Sequence, residues 1–353
     1  MKTAKKRHPF RVIHNNQYGL KRTHAQYAAA QTDRMTGNWY PTDEDVNTII
    51  ANSRHRVFTR VRQLVRDFPY FAAAVNKGVE YTVGDALKLR SRILRPDGTL
   101  DRRKSQMVED SFNRWADDCD VAGKMHFYEF QQLTKRQDLE VGEFLIIKEF
   151  LPDPNRYIPL ALRIIEPDWL SNDRVGAYET ATTKIDQGIE YEKLTGRILR
   201  YHLTDPDGWG KTTPIPADRV LHRFKIDRPG QLRGVSPFVS GVLMAHTFHD
   251  LLDTELDMSA MAAKWLATFK TDDPASLQAG PAFERDDDGR KIETISKGLI
   301  NYLDTNEEIE LHNTTRPGDT FEPFSKLLLR LFSIVTSIPY EILSGDYSGV
   351  NYA

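Results

Sequence analysis

The chain has 353 residues, 40% hydrophobic and 28% charged, a composition typical of a soluble protein large enough for two or three domains. Its single cysteine, Cys119, excludes an internal disulfide, and its most apolar stretch, Leu327 to Ile338, is too short to cross a bilayer. Residues 1–66 carry 13 Lys and Arg against 4 Asp and Glu, whereas residues 271–310 carry 4 against 11, which predicts two surfaces with different partners unless both are simply solvated.

The first 66 residues predict a basic arm followed by an arginine-rich helix. Residues 1–40 are polar and basic, as expected of an N-terminal arm. Thr42 is the predicted cap of the helix, and the acidic residues 43–45 would form its first turn. The helix carries arginines that we expect to meet neighbouring subunits of an oligomer, with contact to nucleic acid as the alternative. These are Arg54, Arg56, Arg60 and Arg62.

Between Pro69 and residue 140 the pattern changes twice. The apolar and polar residues alternate from Leu87 to Ile93, which predicts a strand. Residues 101–140 then predict mainly helix, with a set of large apolar residues expected to be buried. The set is Phe112, Trp115, Phe127, Phe130 and Leu133.

Residues 141–226 predict a mainly antiparallel β section, so that the fold class is α+β. The strands are predicted at 143–149, 160–165, 188–191, 197–203 and 220–224, with a hairpin turn at 194–196. A helix is predicted from Pro237 to about Phe269, followed by an acidic section at 271–320 that is irregular or contains short strands. A second apolar helix is predicted at about Phe324–Ser337.

No motif in the sequence predicts a catalytic, cofactor or metal site. Residues 208–212 resemble a phosphate loop but lack its first glycine, and Pro214 forbids the helix that should follow. The aspartates Asp286, Asp287 and Asp288 are consecutive, whereas calcium loops place carboxylates at alternate positions. A metal-dependent nuclease that uses these three aspartates stays open as the enzymatic alternative.

One loop predicts a strand-to-helix hinge. Its residues are Arg228, Pro229, Gly230, Gln231, Arg233 and Gly234. Pro229-Gly230 predicts a tight turn, and Gly234 would permit a backbone conformation forbidden to larger residues. Ser236 is expected to cap the following helix, with Pro237 in its first turn.

The order of these motifs resembles the lambda-type portal family of tailed bacteriophages. The resemblance rests on residues 164–168, the Leu221-His222 pair, the hinge motif, Arg316-Pro317, and a last segment. That segment contributes Gly345, Asp346, Tyr347, Ser348, Asn351 and Tyr352, which by resemblance belong to a tunnel loop facing DNA.

The resemblance implies a portal-type subunit with a mixed α/β wing, long stem helices and a small clip. The wing would span 41–240, a helix at 241–270 would lead into the stem, and the clip would span 271–320. The returning stem helix would span 321–338 and the tunnel loop would begin at 339–353. Family members usually continue further, so we expect the C-terminal crown section to be absent from this chain.

The resemblance also implies a homo-oligomeric ring, a dodecamer, without catalytic activity of its own. Such a ring passes double-stranded DNA during packaging and ejection, independently of sequence, and without contact to a membrane. The clip, with Asp286, Asp287 and Asp288, would face the terminase large subunit and later the head-completion and tail adaptor proteins. Major capsid and scaffold proteins are further implied partners. The location would be the virion, with assembly in the host cytoplasm; another virion ring or adaptor is the alternative.

Overall fold

The computed structural model describes residue 38 and residues 40–171, 180–204, 212–264, 268–271, 307–310 and 318–349, with the backbone alone at 261–271 and 307–310. The chain divides into two units, Met1–Asp45 and Val46–Ala353. All helices and strands named below belong to the second unit. The predicted arm at residues 1–40 lies almost wholly outside the described residues.

The helices follow the predicted order, but two of them begin later in the chain than predicted. Their bounds are α1 Val46–Asp67, α2 Pro69–Val83, α3 Arg102–Asp117, α4 Phe127–Glu140, α5 Val242–Lys264, α6 Phe321–Thr336 and α7 Tyr340–Ser344. The prediction that Thr42 caps α1 is wrong, because the helix begins at Val46, after the three acidic residues. The prediction of helix from Pro237 to Phe269 is too long at both ends, since Phe269 lies in a strand.

One apolar core joins the helices. On α2, Phe71 packs against Phe238 and Phe332, with ring centroids 5.4 and 5.3 Å apart, and is fully buried. Phe68, between α1 and α2, meets Phe248 of α5 at 5.8 Å. Helices α5 and α6, which the resemblance assigns to the stem, therefore share a core with α1 and α2.

The strands form antiparallel sheets, as predicted for residues 141–226. Their bounds are β1 Glu143–Phe150, β2 Leu160–Ile165, β3 Thr183–Asp186, β4 Ile189–Glu192, β5 Ile198–Thr204, β6 Thr212–Pro216, β7 Val220–Phe224, β8 Thr268–Thr271 and β9 Glu307–Glu310. The sheet orders are β2-β1-β7, β3-β4-β5-β6 and β8-β9. Strands β3, β6 and β8 were not predicted. Pro214 and Pro216 are unusual in strands, so the sequence does not indicate β6. The strand tolerates them because it lies at a sheet edge.

The first half of strand β1, from Glu143 to Ile147, is buried on both faces. Leu145 and Ile147 point towards the second sheet, where they pack against Ile189 and Tyr201. The intervening Ile146 packs against Phe130 of α4 on the other side. Since neither face of this half of the strand is open to water, a charged residue within it must find a partner inside the protein.

Two further predictions need correction. Leu87–Ile93 pairs with no other strand of the described residues; the amides of Leu87, Ser91 and Ile93 are bonded to side chains of α3 and α4 instead. Among the large residues of 101–140 expected to be buried, Phe130 is 2% exposed, whereas the other four are only partly buried. For the two of these on α3, Phe112 and Trp115, the partial exposure follows from the position of that helix, which presents much of its surface to solvent.

Candidate functional site

A fully buried carboxylate, that of Glu143, lies at the junction of the helices and the sheets. Both of its oxygens accept hydrogen bonds from the Arg233 guanidinium, at 3.0 and 3.1 Å from Nε, and Nη2 donates to the same group at 2.6 Å. Arg54 Nη1 donates at 3.2 Å, His222 Nε2 lies 3.2 Å away, and the Gly234 amide donates at 2.7 Å. These five residues form the Glu143 cluster.

Arg233 extends this cluster to both sheets. Its Nη1 donates to the carbonyl of Gln187, between β3 and β4, and its Nη2 donates to the carbonyl of Pro167, which follows β2; both distances are 2.9 Å. The Arg233 side chain is 0% exposed. One side chain of the hinge motif thus fixes the relative position of β1, β2 and the β3–β4 turn.

The electrostatics of the cluster favour a permanently charged ion network. Burial by itself raises the pKa of Glu143, but the charge of Arg233 and the hydrogen bond to His222 outweigh burial, so the pKa lies well below its usual value. Burial and the nearby charge of Arg233 lower the pKa of Arg54 to about 10. A carboxylate held so firmly as an anion stabilises its neighbours and is unsuited to accept protons as a general base.

The hinge motif is a fixed junction. The Gln231 amide donates to the Arg228 carbonyl at 3.3 Å and Gly230 has φ 78°, which confirms the tight turn predicted at Pro229-Gly230. Gln231 Oε1 accepts from the Asp227 amide at 2.9 Å, and Gln231 Nε2 donates to the Arg233 carbonyl at 2.8 Å. These bonds hold the loop in one shape.

Gly234 is required for a reason other than the predicted one. Its φ is not positive; instead, a Cβ at this position would lie 2.1 Å from the carbonyl oxygen of Gly142. Ser236 does not cap α5, because that helix begins at Val242. Its hydroxyl donates to the Leu139 carbonyl at 2.7 Å and accepts from the Phe238 amide at 3.3 Å, which fixes the chain against α4.

The four arginines predicted at a subunit interface divide into two pairs. Arg54 is buried in the Glu143 cluster, so its assignment to an interface is wrong. Arg62 bonds within the chain to Asp168 at 2.8 Å and Glu166 at 3.4 Å. Arg56 and Arg60 are exposed and form no ion pair with a described residue, so for these two the interface remains a prediction.

The predicted tunnel loop begins with a hydrogen-bonded turn. Gly345 ends α7 with φ 71°, and Asp346 then accepts from the Ser348 amide at 3.1 Å and from its hydroxyl at 2.6 Å. These two bonds, with a third from Tyr340, lower the pKa of Asp346 to about 2. Tyr347 is 53% exposed beside them. Asn351 and Tyr352 lie outside the described residues, as do Asp286, Asp287 and Asp288.

The described residues offer no candidate metal site and no membrane-spanning helix. No group of three or more His, Cys, Asp or Glu side chains there could hold a metal ion. None of the helices in this part of the chain combines the length and apolarity needed to span a bilayer. The pKa of the Cys119 thiol is raised to about 11, mainly by burial and secondly by the negative charge of Asp120. A thiol with so high a pKa is not a reactive thiolate at neutral pH.

Helices and antiparallel sheets that meet at the Glu143 cluster define a mixed α+β subunit. The sequence matches the family described as "Phage portal protein, lambda family" over residues 32–353. The chain therefore belongs to the lambda family of phage portal proteins.

Two curated relatives are similar along most of this chain. It is 26% identical over 345 residues to the "Probable portal protein" of Halomonas phage phiHAP-1, covering 93% of this chain and 65% of that protein. It is 22% identical over 353 residues to the "Portal protein" of Escherichia phage N15, covering 89% and 65%. The chain thus spans 65% of the length of these relatives.

A solved structure shares the fold. It is the "Neck of native GTA particle computed with C12 symmetry", in which one chain matches with a TM-score of 0.52 and 13% sequence identity. The match covers 86% of this chain and 77% of that one. At this identity the likeness concerns the fold alone.

Proposed function

We propose that the chain is a subunit of the portal, the head-tail connector vertex, of a tailed phage or prophage. Identical subunits form a closed ring through which double-stranded DNA enters the procapsid and leaves it at ejection. The family match over residues 32–353 carries this proposal. The fold shared with a neck structure computed with C12 symmetry supports a ring of twelve within the virion.

The proposed partners follow the family resemblance. Residues 271–320, with Asp286, Asp287 and Asp288, form the clip that docks the terminase large subunit, and ATP hydrolysis belongs to that partner. Head-completion proteins, tail adaptors, capsid and scaffold proteins meet the ring at other surfaces. The nuclease alternative is not favoured by the family match. It requires cleavage of DNA with magnesium or manganese that is lost on Asp287→Ala.

In a closed ring each subunit joins its neighbours through two different faces. Arg56 and Arg60 lie on the solvent side of α1 and form no ion pair with a described residue. We place them in one of these faces, opposite acidic side chains of the next subunit. The other two arginines predicted at an interface, Arg54 and Arg62, are already paired within the chain.

Electron micrographs of the purified protein should show rings with a central hole, and native mass spectrometry should give one ring mass. The double variant Arg56→Glu and Arg60→Glu should shift most of the protein to monomers, because like charges then face each other. The matched control is Lys124→Glu with Arg197→Glu, which reverses two exposed cations elsewhere. Rings of unchanged mass in the α1 variant would exclude this face, and absence of rings in the wild type would reject the portal assignment.

The proposed channel segment presents little free positive charge. Lys326 lies 2.8 Å from Glu322 and 3.5 Å from Asp346, and the Arg330 guanidinium lies 5.5 Å from the centre of the Tyr340 ring. Each free cation that reaches a phosphate adds affinity and salt dependence. A channel surface with engaged cations lets DNA slide, which is what a translocation ring requires.

Adding a cation to the loop should therefore make the ring hold DNA. For Gly349→Lys we expect tighter duplex binding at 50 mM salt. The slope of the logarithm of the binding constant against the logarithm of the salt concentration should be steeper by about 1 per phosphate contacted. Gly318→Lys is the control, since both glycines lack a positive φ and have open space at the Cβ position. Fluorescence anisotropy across a salt series measures both. Equal effects of the two lysines would contradict a channel position for the loop.

A further inference from the structure

The segment Leu87–Ile93, between α2 and α3, resembles a strand that is paired along one edge only. The Leu87 amide donates to Gln131 Oε1 at 3.0 Å. The Ser91 amide donates to Glu109 Oε1 at 2.8 Å, and the Ile93 amide donates to Ser105 Oγ at 3.0 Å. All three are odd-numbered; the amide of Leu89, also odd-numbered, has no hydrogen-bond partner among the described residues. In an extended chain alternate residues direct their amides to the same side.

The opposite edge of the segment is open. The amides of Lys88, Arg90 and Arg92 have no hydrogen-bond partner among the described residues. Their side chains are exposed and make no ion pair within that part of the chain. Three further exposed cations follow at the start of α3, namely Arg102, Arg103 and Lys104. We call this surface the Leu87–Ile93 edge.

The other face of the same segment is apolar. Leu87 and Leu89 are 71% and 41% exposed. Leu89 also lines a groove of about 460 Å³ that continues over α3 to the beginning of β2, with walls that are almost entirely apolar. The groove is formed with Val108, Phe112, Trp115, Ile158 and Leu160. Exposed leucines next to such a groove indicate a surface that is covered when a partner binds.

We propose that the Leu87–Ile93 edge binds an extended segment of another protein in which acidic and apolar residues alternate. The segment adds as a strand, and its backbone bonds to the open amides and carbonyls of Lys88, Arg90 and Arg92. Residues directly opposite each other in paired strands share a face. The acidic side chains therefore lie beside the three cations, and the apolar ones lie beside Leu87, Leu89 and the groove.

The charge of the surface limits the partner to an anionic one, and its shape favours a peptide over nucleic acid. A duplex would contact the cations through its phosphates, but it could use neither the open backbone edge nor the apolar groove. An extended acidic and apolar peptide uses all three. The proposal concerns a different surface from Arg56, Arg60 and the channel loop, and its tests do not depend on the proposed function.

The first test uses a synthetic peptide, four repeats of Glu-Val with a fluorophore at one end, and the full-length protein. Anisotropy should show saturable binding, and a Lys-Val peptide should bind at least about tenfold more weakly. Two methylated peptides are then compared, one with methyl groups on the backbone amides of the Glu residues and one with them on those of the Val residues. One of the two should bind at least about tenfold more weakly than the parent peptide, whereas the other should bind equally well. Equal binding by both methylated forms, or no binding by the parent peptide, would overturn the proposal.

The second test uses variants of the edge. Lys88→Glu, Arg90→Glu and Arg92→Glu together should abolish peptide binding, whereas Lys124→Glu, Arg197→Glu and Arg223→Glu together should leave it intact. Arg90→Pro should bind more weakly than Arg90→Ala, because both lose the charge but only proline loses the open amide. Equal affinities of the two single variants would overturn strand addition. A 20-base-pair duplex that binds more tightly than the peptide would reassign the edge to nucleic acid.

Discussion

Replacing Glu143 with Gln should lower the free energy of unfolding by about 3–5 kcal/mol, because it leaves the buried guanidinium of Arg233 without its counter-charge. Arg233 is 0% exposed and Arg54 is 6% exposed, so water cannot compensate for the lost carboxylate. The neutral amide also replaces an oxygen acceptor with a donor that would face other donors. Urea denaturation followed by circular dichroism, with the same salt and pH for both proteins, measures the difference.

Glu149→Gln is the matched control for this change. It lies in the same strand, β1, and its carboxylate pairs with Arg163 at 2.8 Å, but Arg163 is 45% exposed. An ion pair at the surface contributes at most about 1 kcal/mol, so this substitution should be nearly neutral. If the two substitutions cost the same, the Glu143 cluster would not be the stabilising element described above.

The pH dependence provides a second measurement of the same prediction. The folded pKa of Glu143 lies below its ordinary value of 4.5, so the folded state binds this proton less readily than the unfolded state does. The resulting stability is complete above about pH 4.5 and is lost progressively as the pH falls towards the folded pKa. The wild type should therefore lose stability below pH 4.5 more steeply than Glu143→Gln. Parallel curves for the two proteins would contradict the assignment.

Gly234→Ala should destabilise the fold by about 3 kcal/mol, because the added methyl has no space to occupy. Its Cβ would lie 2.1 Å from the carbonyl oxygen of Gly142, and this oxygen is backbone, which cannot move away as a flexible side chain can. The approach is equally close from the other side, since a Cβ on Gly142 would lie 2.0 Å from the carbonyl carbon of Val235. Thermal and urea unfolding should both report the loss.

Gly318→Ala serves as the control for this substitution. Like Gly234, Gly318 lacks a positive φ, but nothing lies within 4 Å of the point that its Cβ would occupy. The control should change stability by less than about 1 kcal/mol, and it has the same change in intrinsic backbone freedom. Equal destabilisation at the two sites would mean that close backbone approach is not why position 234 holds glycine.

Local sequence patterns were sufficient to predict most of the elements. The apolar runs at 160–165 and 220–224 coincide with β2 and β7, and the turn at Pro229-Gly230 has the predicted geometry. These features depend on residues within a few positions of each other. Patterns of this range missed β6, whose prolines are tolerated because the strand lies at an edge. They also predicted a strand at Leu87–Ile93, which pairs with no other strand of the described residues.

The burial and the pairing of charged residues could not be predicted from the sequence. Glu143 begins an apolar run and gives no sign that it is fully buried. The four arginines of α1 predicted at an interface look equivalent in the sequence, yet Arg54 and Arg62 are bonded within the chain whereas Arg56 and Arg60 form no ion pair with a described residue. A strand that is buried on both faces is the signal that could have indicated a partner for Glu143.

The sequence by itself determined the class of fold, the order of the elements and the membership of the portal family, because each of these is written in local patterns and in the order of motifs. Only the tertiary structure decided which charges are paired. Arg233 and Glu143 are 90 positions apart and meet because the chain returns from β7 to the start of β1. The free energy of burying a charge depends on its final surroundings, and no local pattern contains them.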